Sequence, residues 1–151
     1  MLNRFIFRGN KGFTLIELLI VIAIIGLLAG IAIPMFLGQR TKAMRTEGET
    51  NIRIIFTANE NYYAENGVYS PTVVDQDRTY GATTNPLEQE LRSVKFGKDG
   101  DLYFTYTLRS CNGGQSFLVK ATGKSGTPVE GVVFSINEKS ELGDGTVACG
   151  S

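Results

Sequence analysis

Between Leu18 and Gly38 the chain carries no charged residue, and no later stretch has a comparable apolar run. At about 1.5 Å per residue in an α-helix this stretch is roughly 31 Å long, close to the ~30 Å hydrocarbon core of a bilayer. One membrane-spanning helix near the N-terminus is therefore predicted, with a soluble remainder. After Gly38 the composition turns polar, but residues 39–66 keep a helical period. Met44, Gly48, Ile52, Ile55, Asn59 and Tyr62 recur at spacings of three or four, with Phe56 and Tyr63 beside them. Such a stripe is the buried face of an amphipathic helix. Asn66-Gly67 is a stop signal, because Gly67 can take the left-handed conformation that closes a helix. A single helix over 13–66 would be roughly 80 Å long.

Residues 67–100 hold Pro71, Gly81, Pro86, Gly97 and Gly100 and read as a loop, apart from a short helix that Asn85 could cap with Pro86 at its first position. Strand patterns follow. Leu102–Arg109 alternates, with Tyr103, Thr105 and Thr107 on one face and Phe104, Tyr106 and Leu108 on the other. Ser116–Thr122 and Glu130–Asn137 are the next strand candidates, with turns at 111–114 and 124–128. Gly143-Asp144-Gly145 reads as a further turn. Short connections between successive strands give an antiparallel meander whose apolar face should cover the stripe from Ile52 to Tyr63. The predicted class is α+β: a long N-terminal helix, apolar then amphipathic, packed against a small antiparallel sheet.

Charge and composition narrow the function. The 151 residues suit one ordinary domain, and the formal net charge is zero without any block of like charge, which argues against a dedicated nucleic-acid binder. The chain has no His, which excludes a His-based triad, a His metal site and a His pH switch. No nucleophile–base constellation is apparent, so an enzymatic role has no support. Asp75-Gln76-Asp77 and Asp99-Gly100-Asp101 lack the further ligands and spacing of a calcium loop and read as solvated turns; no metal or cofactor is expected. Cys111 and Cys149 do not make a CxxC pattern, and an exported head would favour a disulfide over a free buried pair.

Arg4, Arg8 and Lys11 precede the apolar run and should hold that end in the cytoplasm, although Arg40, Lys42 and Arg45 beyond it oppose the rule. An ordinary secretory signal would need a small-residue cleavage site after the run, and Ala29-Gly30-Ile31-Ala32 could pass for one; the run, however, is longer than a typical signal core, and it begins beside Glu17. A carboxylate at the edge of a membrane helix either snorkels to the interface and does no more, or serves a function. Gly26, Gly30 and Pro34 recur every fourth residue. Small residues let helices approach closely, and Pro34 removes a backbone hydrogen bond, so a kink, a melted stretch or a gently bent packing face could result.

The stretch Lys11-Gly12-Phe13-Thr14-Leu15-Ile16-Glu17-Leu18, continuing through residues 19–26 to Ala32-Ile33-Pro34, resembles the processing site of type IV prepilins and pseudopilins. The resemblance is strong over residues 11–45 and is one of architecture beyond. It implies a leader, residues 1–12, removed by a prepilin peptidase between Gly12 and Phe13, followed by N-methylation of Phe13. Residues 13–38 would anchor the chain in the membrane and later form the filament core, 39–66 would be the amphipathic half of the helix, and 67–151 the head, with a loop at 67–100 and a disulfide-closed sheet region at 101–151. Glu17 would neutralise the new amine of Phe13, within one subunit or between neighbours, with the resemblance favouring neighbours. It also implies that Gly26–Pro34 loosens in the filament, and that Cys111–Cys149 staples the C-terminal region.

The expected function is that of a structural subunit of a type IV pilus, serving motility, adhesion or DNA uptake. The expected partners are other pilin subunits, the prepilin peptidase, an inner-membrane assembly platform and, before assembly, the membrane; nucleic acid could be bound only at the level of the filament. The expected locations are the inner membrane and then the extracellular filament. The alternative is a periplasmic pseudopilin of a type II secretion system. Major pseudopilins usually end in an acidic calcium-binding loop without the disulfide. Here residues 137–151 hold only Glu138, Glu141 and Asp144 as acids, with Cys149 nearly terminal, which favours a pilin.

Overall fold

The computed structural model describes residues 12–71, 76–81 and 86–150. Two compact units divide the chain between Gln39 and Arg40. One α-helix, α1, covers Leu15–Asn66. In the first unit its residues from Leu18 to Gly38 carry no charge and its large apolar side chains are uncovered, and the stretch is long and apolar enough to cross a membrane. Residues 26–34 are α-helical in the isolated chain, with Pro34 inside the helix. The loosening expected there would belong to the assembled state.

In the second unit the other part of α1 packs on a sheet. The five strands are β1 (Arg78–Thr79), β2 (Phe104–Cys111), β3 (Ser116–Gly123), β4 (Val133–Asn137) and β5 (Leu142–Gly143). They lie in chain order, each antiparallel to the next. The alternation read in the sequence sets the faces. Phe104, Tyr106 and Leu108 of β2, Phe117, Val119 and Ala121 of β3, and Phe134 and Ile136 of β4 join Met44, Ile52 and Ile55 of α1 in one buried core. Asn51 and Ala58 also belong to the buried face of α1, which is broader than the stripe read from spacing. The helix stops as expected: Gly67 lies at φ 73°, and its N–H donates to the Tyr63 carbonyl at 2.8 Å.

The α+β architecture and the meander hold, but several boundaries differ. Leu102 and Tyr103 precede β2, which extends instead through Ser110 to Cys111. The third candidate strand begins at Val133 rather than Glu130, because Glu130 and Val132 bond back to Thr127 and Val129 in tight turns and Gly131 lies at φ 78°. The loop at 67–100 contributes β1, and Gly143 is paired in β5 rather than lying in a turn. The short helix expected after Asn85 is one 3-10 turn, Leu87–Gln89; Pro86 flanks it with ψ 139°, too extended for a first helical position. Asn85 itself lies outside the described residues, as do Met1 to Lys11 and Asp75.

Gly48 lets α1 approach the sheet. A Cβ there would lie 2.9 Å from the ring of Phe104, which is fully buried. The ring has no free space to swing into, so Gly48→Val should destabilise the head by about 1–3 kcal/mol through overpacking. A chemical-denaturation midpoint equal to wild type would show that the helix can move off the sheet.

Candidate processing and assembly site

The N-terminus of α1 is built by the Thr14-Leu15-Ile16-Glu17 sequence. The Glu17 carboxylate accepts from the Thr14 backbone N–H at 2.9 Å and from the Thr14 hydroxyl at 2.7 Å, while the Glu17 N–H donates to the Thr14 hydroxyl oxygen at 3.2 Å. Two otherwise unpaired helix-end donors are satisfied reciprocally, the arrangement known as a capping box. A Thr followed three residues later by Glu at the head of an apolar run is its sequence signal, and the sequence reading passed over it. Thr14 is therefore a further residue of the site, holding the Glu17 carboxylate over the first turn.

Gly12 and Phe13 precede this cap outside the helix. Among the described residues nothing lies within 4 Å of where a Gly12 side chain would start, and Phe13 is 79 % exposed. Beyond the cap, no large apolar side chain from Leu15 to Leu37 is buried, and positions 26 and 30 have open space beside their α-carbons. This surface has no partner among the described residues.

In the head, Cys111 and Cys149 are bonded, with Cα atoms 6.2 Å apart. The bond holds the C-terminal tail, which also packs Gly145 against Val133. The Asn137 side chain fixes the start of that tail: its Oδ1 accepts from the Lys139 and Glu141 N–H groups, and its Nδ2 donates to Glu141 at 2.7 Å. At the other edge Arg78 pairs with Glu90 at 2.8 Å, and Glu90 also accepts from the Ser70 hydroxyl. Helix and sheet are joined by a polar bridge: Asn51 donates to the Tyr106 hydroxyl at 2.9 Å, and Tyr106 donates to Glu47 at 3.3 Å.

Asp77 accepts from Arg109 at 2.7 Å, and Asp99–Asp101 forms a 3-10 turn. Aromatic rings pack where the end of α1 meets the sheet: Tyr63 stacks on Tyr69 at 4.4 Å, and Phe117 meets Tyr69 and Phe56 at 4.6 and 5.5 Å between ring centres.

Burial pushes the Tyr69 hydroxyl up to about 12, helped by its hydrogen bond to Glu60 and by the charge of that carboxylate. Burial likewise raises Tyr106, with Glu47 adding to the effect and Asn51 opposing it. A folded-state value above the unfolded one means that the unfolded chain loses its proton first, so stability is full below about pH 10 and declines as pH rises toward 12. The head should therefore lose thermal stability between about pH 10 and about pH 12, and Tyr69→Phe should flatten that decline. An unchanged slope in circular-dichroism melts of Tyr69→Phe would assign the decline to other groups.

A family model described as the prokaryotic N-terminal methylation motif matches residues 7–33, which include the cap and the Gly12–Phe13 bond. The type IV major pilin protein PilA of Myxococcus xanthus is 48 % identical over 61 residues, 40 % of this chain and 28 % of that protein, so this chain spans under a third of that relative. The fimbrial protein EcpB of Eikenella corrodens is 38 % identical over 129 residues, 83 % of this chain and 77 % of that protein. The type II secretion system core protein G of Vibrio cholerae is 33 % identical over 85 residues, 56 % of this chain and 58 % of that protein. No solved structure matches the chain at comparable significance.

Proposed function

The chain belongs to the type IV pilin family of fimbrial proteins, and from that premise we propose that it is a pilus subunit, cut between Gly12 and Phe13, N-methylated at Phe13 and polymerised through α1. The observation that carries this reading is the join of an exposed Gly12–Phe13 pair to a capped helix whose next turns are apolar and uncovered. Cleavage there leaves the apolar stretch intact, so one segment serves first as a membrane anchor and then as the filament core. The peptidase and an inner-membrane platform are the partners for these steps, and the filament is extracellular. Motility, adhesion and DNA uptake are the tasks such a filament would serve.

Within a filament core the new amine of Phe13 and the Glu17 carboxylate leave water together. Either charge alone would be expensive there, and each neutralises the other. Gly26 and Gly30 allow close helix approach, and loosening from Gly26 to Pro34 would let the helix adapt as subunits pack. The secretion-system reading has support from the core protein G relative, but that likeness covers just over half of each chain, whereas the fimbrial likeness covers 83 % of this chain and 77 % of that protein.

Mass spectrometry of filaments sheared from expressing cells tests the proposal. The expected species begins at N-methyl-Phe13 and is lighter than its reduced form by the hydrogens lost on forming the disulfide. A chain still beginning at Met1 would overturn the processing step, and a processed chain confined to the cell envelope would favour the secretion-system reading.

A further inference from the structure

The outward face of the sheet carries a groove that the filament reading does not use. Its floor is formed by side chains of β2 and β3 that point away from the core, and its volume is about 670 Å³. Thr107 and Lys120 sit opposite each other across the two strands, and Thr122 is the next outward residue along β3. The Cys111–Cys149 disulfide walls one end, and the Asp77–Arg109 pair forms a rim.

Three of these groups are polar and unengaged. Among the described residues the Lys120 ammonium has neither a hydrogen-bond nor an ion-pair partner, and the hydroxyls of Thr107 and Thr122 have none either. Arg109, in contrast, is already neutralised by Asp77 at 2.7 Å. The groove therefore offers one uncommitted positive charge flanked by hydroxyls, each able to donate and to accept.

We propose that this groove binds a carboxylated saccharide. One carboxylate meets Lys120, and the sugar hydroxyls exchange hydrogen bonds with Thr107 and Thr122. Opposed residues on neighbouring strands lie about 5 Å apart and successive same-face residues about 7 Å apart, a spacing on the scale of adjacent sugar rings. A nucleic acid is a poorer fit. Duplex DNA presents one charge per ~1.7 Å of axis and needs several cations to match it, and single strands need aromatic platforms; among the described residues the groove has one free cation and no aromatic side chain in its lining. The disulfide gives the site a fixed wall, so reducing it should open the groove and weaken binding. None of this depends on polymerisation.

The test is calorimetric titration of trigalacturonate into the full-length chain in neutral detergent, and again into sheared filaments, with maltotriose as the uncharged control. Lys120→Gln and the double variant Thr107→Val, Thr122→Val should each weaken trigalacturonate binding by at least about tenfold, the scale of losing a charged hydrogen bond. Lys95→Gln, an exposed lysine outside the groove, should change nothing, and maltotriose should not bind measurably. All of these lie on the surface, and matching melts would show that the variants fold. Trigalacturonate binding that is absent, or that survives Lys120→Gln unchanged, overturns the proposal. So does a short DNA duplex that binds more tightly than trigalacturonate with the same dependence on Lys120. Failure in detergent and on filaments alike would leave the pilus reading intact, because that reading rests on α1.

Discussion

Cells making Glu17→Leu in place of wild type should accumulate the protein in the membrane and shed no filaments, a loss of at least about a hundredfold in sheared pilin. Cleavage at Gly12–Phe13 is expected to proceed without the carboxylate, and an extra apolar residue should only improve the anchor. What fails is burial of the Phe13 amine without its counter-charge. The capping box adds a second role for the same carboxylate, and two variants separate the roles. Glu17→Gln keeps an acceptor that can reach the Thr14 N–H, and so preserves the cap while removing the charge. Thr14→Val removes the hydroxyl that holds Glu17 and keeps the charge. If charge pairing governs assembly, Glu17→Gln should be as defective as Glu17→Leu, and Thr14→Val should still assemble with lower yield. Normal filaments from Glu17→Gln together with none from Thr14→Val would reverse the assignment and make helix initiation the essential step. Quantitative immunoblots of sheared and cell-bound fractions read the difference.

The second large effect is on the head. Replacing Cys111 and Cys149 by Ser should lower its unfolding free energy by about 4 kcal/mol, the loop-closure entropy of a separation of 38 residues. Much of a marginal stability would go, since domains are held by only ~5–15 kcal/mol. The first region to loosen should be the tail, which has little apolar content of its own. Its remaining ties are the β5 pairing, the Asn137 hydrogen bonds and the Gly145–Val133 contact. Hydrogen exchange should therefore show protection lost over residues 140–150 before β2 or β3 is affected. A variant that melts as a single unit with wild-type protection in the tail would show that those ties suffice.

Much of this molecule is legible in its sequence because its strongest signals are periodic. The apolar run from Leu18, the stripe through Ile52 and Ile55, and the alternation of Phe104, Tyr106 and Leu108 each repeat often enough to fix a face. The stop at Asn66-Gly67 is legible because a left-handed residue is needed there. What escaped the reading is short or non-local. Strands β1 and β5 have two residues each, too few for alternation to appear, and they pair only because β2 and β4 present an edge. Asn51 was not part of the stripe read from spacing, and its partner, the Tyr106 hydroxyl, lies 55 residues away. Pro86 carries a helix-start signal, but the turn it introduces ends after Gln89, with Leu87 and Leu91 drawn into the core. The cap at Thr14 and Glu17 was readable from spacing alone; the Glu17 charge drew the argument toward burial and away from the local hydrogen bonds that also explain it.

The two-residue edge strands have a consequence for crowding. A polymer of this chain sets identical sheets beside one another at a very high local concentration, the condition under which exposed sheet edges recruit each other and fuse into cross-β aggregates. Strand β1 offers too little backbone to template such an addition, and its Arg78 is held in an ion pair with Glu90. Strand β5 is as short, and the chain turns away from it at Gly145. Lengthening either edge would add hydrogen bonds to the single head and would also give neighbouring heads a seam along which to zip together.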